Sequence, residues 1–224
     1  MEDQPGRSTS PPERADRLAR ADSSLVLAGL LIIVAVLTFA GPPLRGTPDP
    51  LVDLDREETL VSLFSSVLLG WCAWLAFTLA RADRARGEGT PRAALGLAAV
   101  LVEMAFDEAM MLHERLGGVA GLPWAVWYSP VLIAGAIAGW RVARAHRPAR
   151  RLFALALGVW IVSGLMETVF WGPDPAREAA LSVTIEEFCE MLGMIALAFG
   201  LLRSVLLVRP GAARRAPAAQ RASA

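Results

Sequence analysis

Six apolar runs, each close to the roughly 20 residues needed to cross the hydrocarbon core of a bilayer, dominate this chain. They occupy about 24–41, 59–80, 93–114, 125–142, 152–171 and 179–203. In lipid the backbone must satisfy its own hydrogen bonds, so each run is expected to fold as a helix. The chain has 224 residues, is 54% hydrophobic and has a mean hydropathy of +0.44, too apolar for an ordinary soluble domain of this size.

The polar segments between the runs differ in charge. All 22 basic residues are Arg. Eighteen fall in four segments: Arg7, Arg14, Arg17 and Arg20; Arg81, Arg84, Arg86 and Arg92; Arg141, Arg144, Arg147, Arg150 and Arg151; and Arg203, Arg209, Arg214, Arg215 and Arg221. The three alternate connections hold only Arg45, Arg56, Arg115 and Arg177. By the positive-inside rule this alternation predicts six spans with both termini cytoplasmic. The Arg-only, Ala-rich composition points to a bacterial protein, hence to the inner membrane. Basic residues before the first run also fit a signal peptide, but its length and the Gly41-Pro42-Pro43 that follows weigh against cleavage.

These features predict an all-α, polytopic six-helix membrane domain over 23–205, flanked by disordered cytoplasmic tails at 1–22 and 206–224. The lipid bilayer is the partner that composition implies, and a homo-oligomer fits the size. There is no nucleotide-binding glycine loop and no nucleic-acid module. Cys72 and Cys189 both sit inside apolar runs, which argues against a structural disulfide.

Eight carboxylates interrupt this apolar background: Glu103, Asp107, Glu108, Glu114, Glu167, Glu186, Glu187 and Glu190, with His113 among them. An ionised carboxylate deep in lipid costs at least a few kcal/mol unless it is protonated, paired or bound to a cation. At 1.5 Å per residue, Asp107 lies about 6 Å outward of the centre of its span and Glu167 about 8 Å. Glu186 and Glu187 fall about 6–8 Å outward, and Glu190 near the midplane. Spans of different direction thus deliver acids to one slab. Glu103, Asp107 and Glu114 share one helical stripe, Glu186, Glu187 and Glu190 another, and Glu108 points away from the first. Ser163 and Gly164 lie on the face of Glu167, while Glu58, Ser62, Ser65 and Ser66 form a polar stripe on the second span. The fourth span carries Gly135 and Gly139 at packing spacing. Trp124, Trp127 and Tyr128 fit an interfacial aromatic belt.

Carboxylates with one imidazole suit a hard or borderline divalent metal. The expected metal ligands are Asp107, Glu167, Glu187 and Glu190, then Glu186 and His113. Glu58, Glu103, Glu108, Glu114, Ser62, Ser66 and Ser163 would line the same outward-opening cavity, built by the second, third, fifth and sixth spans. The paired Glu-x-x-His motifs of di-iron bundles and the HExxH zinc motif are both absent. Cation binding, with or without enzyme chemistry, is the first expectation. A proton- or cation-coupled small transporter is the alternative, and an accessory or assembly subunit without a site is the third.

Two segments resemble signatures of uncharacterised bacterial multi-pass membrane proteins. One is Phe106-Asp107-Glu108 followed by Leu112-His113-Glu114-Arg115-Leu116; the other is Ile185-Glu186-Glu187 followed by Glu190-Met191-Leu192-Gly193. The resemblance implies membership of a multi-pass family in which these acids recur, and no particular activity.

Overall fold

A computed structural model describes the backbone of residues 60–87, 89–110, 124–170 and 175–208, together with Gly29, Leu30, Ile33 and Leu112. Within these segments, side chains at 60, 61, 124, 125, 148, 166–170, 175–184 and 187 fall outside the description. Five α-helices make up the described fold: α1 (Leu60–Arg86), α2 (Pro91–Met110), α3 (Trp124–Ala145), α4 (Arg150–Phe170) and α5 (Pro175–Val208). A single 3-10 turn, Arg147–Ala149, joins α3 to α4. The fold is all-helical, and each helix coincides with one of the apolar runs to within a few residues. The first run, 24–41, lies outside the described residues except at Gly29, Leu30 and Ile33, each helical. Both tails fall outside them too, save that α5 continues to Val208.

Among the described residues three helices, rather than six, contain stretches long and apolar enough to cross a membrane: Ser62–Arg86, Val126–Ala145 and Phe188–Val208. On α2, Glu103, Asp107 and Glu108 stand too close together for such a stretch.

Helix ends follow local chemistry. Gly87 at φ 66° closes α1 in the left-handed conformation that glycine adopts freely, its N–H donating to the Arg84 carbonyl at 3.2 Å. Thr90 precedes Pro91, which opens α2 with its fixed φ, and the Thr90 carbonyl accepts from Ala94 N–H at 2.9 Å. Pro130 lies inside α3 and cannot donate to the Val126 carbonyl. The Ser129 hydroxyl donates to that carbonyl instead, at 2.9 Å, so the helix carries on through the proline.

The α1–α2 hairpin and the α4–α5 pair join through α1 against α5, while α3 lies along the outside of α2. The most apolar stretch of α5 is 72% buried and that of α3 only 11%, so α5 is the central helix and α3 the peripheral one. On α1 the buried positions Leu68, Leu69, Cys72, Leu75, Ala76 and Leu79 keep a 3.6-residue period. Val67, Trp74 and Phe77 point the other way, exposed and equally apolar. Close α4–α5 packing depends on glycine: a Cβ at Gly193 would lie 2.6 Å from the Trp160 ring nitrogen, and one at Gly200 would press on Phe153.

The bundle is polar in the electrical sense. Arg81, Arg84 and Arg86 near the end of α1, Arg92 at the start of α2, Arg141 and Arg144 late in α3, Arg150 and Arg151 opening α4, and Arg203 late in α5 are all exposed and gather at one end. Glu103, Asp107, Glu108, Glu186 and Glu190 occupy the other half.

Candidate functional site

Two helix pairs carry the acids of the acidic half. On α2, Asp107 is 6% exposed and Glu103 one turn earlier is half-buried. Tyr128, less than two turns into α3, points its hydroxyl between them. It donates to Glu103 Oε2 at 2.7 Å and also engages Asp107. A hydroxyl shared between two carboxyls is a strong, charge-assisted arrangement if at least one acid is ionised. Glu108 is half-buried and engaged with neighbours of its own. Exposed Phe106 and Met110 cover the outer side of the same stretch.

Between α4 and α5, the buried Ser163 hydroxyl donates to Glu190 Oε1 at 3.1 Å, and Trp160 Nε1–H donates to the Glu190 carbonyl at 3.3 Å. These antiparallel helices are therefore in register at residues 163 and 190. One turn further along, residue 167 of α4 comes level with residue 186 of α5. Glu186 is half-buried and engaged. The side chains of Glu167 and Glu187 lie outside the description, and Glu58, His113 and Glu114 lie outside the described residues altogether.

The serine stripe of α1 divides. Ser66 donates to its own helix at the Ser62 carbonyl, 2.8 Å away, whereas Ser65 is the member buried in the core. Hydrogen bonds to these acids thus tie α2 to α3 and α4 to α5. Among the described residues no three His, Cys, Asp or Glu side chains gather as a metal site would require.

Tyr128 is a residue that sequence reasoning missed. The sequence places it with Trp127 in an interfacial belt, but its hydroxyl turns to the acids of α2 while Trp127 is half-exposed. Its signal was faint but present: it is the single tyrosine of the chain, a few residues inside the end of a helix adjacent to two acids.

A second missed constellation lies at the basic end. Asp83 is 2% exposed although it stands between Arg81 and Arg84. Its Oδ2 accepts the Thr90 N–H at 3.1 Å and lies 3.1 Å from His146 Nε2. Gly89, at φ 71°, passes so close that a Cβ there would collide with the carboxylate. The Asp83–His146 contact locks the α1–α2 turn onto the α3–α4 turn. The Thr90 hydroxyl is buried beside it with no hydrogen-bond partner among the described residues.

The model of one family, described as a domain of unknown function (DUF8692), matches residues 24–205. The chain belongs to the DUF8692 family. The matched stretch takes in every candidate residue from Glu58 to Glu190, as well as Asp83 and His146. No curated protein and no solved structure matches the chain.

Proposed function

We propose that this DUF8692 chain is a six-span protein of the bacterial inner membrane, with both termini cytoplasmic, that binds a cation among the carboxylates of its outer half. The observation that carries the reading is the Glu103–Asp107–Tyr128 group. Asp107 is buried one turn from Glu103, a hydroxyl bridges them, and no Lys or Arg occurs between Arg92 and Arg115 or between Arg115 and Arg141. Two carboxylates in a membrane interior cannot both stay charged without a positive counterpart. A proton or a small cation supplies it. The proton fits this group best, because two carboxyls and a phenol offer a metal fewer ligands than it prefers, while one shared proton leaves a hydrogen-bonded monoanion. Reversible protonation of such a pair is the elementary step of proton-coupled transport, which makes the small-transporter reading the stronger of the functional alternatives.

Dicyclohexylcarbodiimide tests this, since it modifies protonated carboxyls in apolar surroundings. The expected result is covalent modification at Glu103 or Asp107, lost in Glu103→Gln/Asp107→Asn. Absence of modification at both positions would reject the protonated pair.

The divalent-metal reading keeps one specific observation in its favour: the α4–α5 register brings the backbone positions of Glu167 and Glu186 to one level, a turn from Glu190. Elemental analysis of detergent-purified protein beside a Glu167→Gln/Glu190→Gln variant tests it. A stoichiometric metal lost in the variant supports a metal-dependent enzyme or metal carrier; equal, substoichiometric metal in both rejects it.

A further inference from the structure

On the lipid-facing side of the α1–α2 hairpin the two helices leave an apolar groove of about 410 Å³, within the range of sites that hold a small molecule. Its floor is small: Gly70 and Ala73 on α1, Ala98 and Ala99 on α2. Trp74 and Phe77 form one wall, Leu95 and Val102 the other, each about half exposed. The groove runs about 10 Å along the axis, from Gly70 to Phe77. Helix periodicity then sets its end. Trp74, Phe77 and Arg81 follow one another at i, i+3 and i+7, and Arg92, Leu95, Ala99 and Val102 make the matching stripe on α2. Both arginines therefore stand one turn beyond the Phe77–Leu95 level, and both are exposed. The Arg81 guanidinium lies over the Phe77 ring, 6.0 Å from its centroid, at the mouth of the groove.

An apolar channel ending in two cations is complementary to a molecule with an acyl chain and an anionic head. We infer that this groove binds one anionic phospholipid from the leaflet at the Arg-rich end, its chain on Gly70, Ala73, Ala98 and Ala99 and its phosphate at Arg81 and Arg92. The charge at the mouth selects this occupant over a second copy of the chain, which would bring a like-charged Arg cluster to the same place. The one described acid at that end, Asp83, is buried and faces His146 instead. The inference rests on the membrane reading above, so its test separates the two.

The full chain is purified from membranes, reconstituted in nanodiscs of equimolar phosphatidylglycerol and phosphatidylcholine, and released for native mass spectrometry. Flotation of the same preparation with liposomes serves as the membrane control. The expected result is retention of one phosphatidylglycerol in preference to phosphatidylcholine by a factor on the order of ten. Arg81→Gln/Arg92→Gln abolishes that preference but keeps a lipid. Gly70→Leu/Ala99→Leu fills the groove from exposed positions, where a Cβ at Gly70 meets nothing within 4 Å, and loses the lipid itself. Flotation with equal retention of both lipids, or with wild-type retention in both variants, overturns the groove and leaves the membrane reading standing. A wild-type dimer that Gly70→Leu/Ala99→Leu converts to monomer gives the groove to a second copy and also overturns it. Failure to float overturns both readings.

Discussion

At the scale of single residues, the Asp83–His146 contact makes the sharpest demand on stability. A carboxylate only 2% exposed is tolerated because a backbone N–H and an imidazole meet it. Removing one partner leaves the other without its hydrogen bond, which typically costs about 1–3 kcal/mol, whereas removing both spares that penalty. His146→Ala is therefore expected to lower the thermal midpoint in detergent more than Asp83→Asn/His146→Ala does; the reverse order would show that the two side chains are not coupled. Gly89→Ala should destabilise by at least about 1 kcal/mol, because the left-handed φ and the collision with the carboxylate act together. None of this was legible in the sequence. Asp83 reads as one more polar residue among arginines and His146 as part of a basic connection, and only tertiary closure brings two turns 63 residues apart into contact. Glu103 and Asp107 were legible because an acid in an apolar run has no cheap explanation. Their partner Tyr128 was not, because a tyrosine near a helix end is equally at home at an interface.

At the scale of elements, apolar run length locates the five described helices, and what stays hidden is pairwise. Nothing in the runs at 93–114 and 125–142 announces that the fourth span, read as a packing helix, supplies a polar partner to the third. The α4–α5 interface makes the same point. Gly193 was part of a motif in the sequence, but its role is to admit the Trp160 ring and so preserve the indole bond to the Glu190 carbonyl. Gly193→Val is expected to displace that ring and destabilise the helix pair by about 1–3 kcal/mol, read as a lowered unfolding midpoint. Ser163→Ala removes one neutral donor to Glu190, and about 1 kcal/mol should suffice to describe its effect. Equal losses in the two variants would mean that shape is not what governs this interface.

At the scale of the whole molecule, the separation of charge organises everything else. Exposed arginines crowd one end of the helices and carboxylates the other half, while every described helix except the central α5 presents large apolar side chains to its surroundings along much of its length. A soluble bundle would pay for such surfaces by aggregating; in a bilayer they are the normal boundary with lipid. The alternation of Arg along the chain makes this end-to-end polarity readable in the sequence, since it depends only on segment order. The expectation of one shared cavity rests on depth and on helical stripes. Hydrogen bonds link the acids of α2 to α3 and those of α5 to α4, and a common site requires both groups to lie at one level. In a variant lacking Cys72 and Cys189, single cysteines at 108, 167 and 187 should react with a membrane-impermeant maleimide from the outside of intact cells, and cysteines at 84 and 147 only after lysis. Labelling of 108 and 187 from opposite sides would contradict the account.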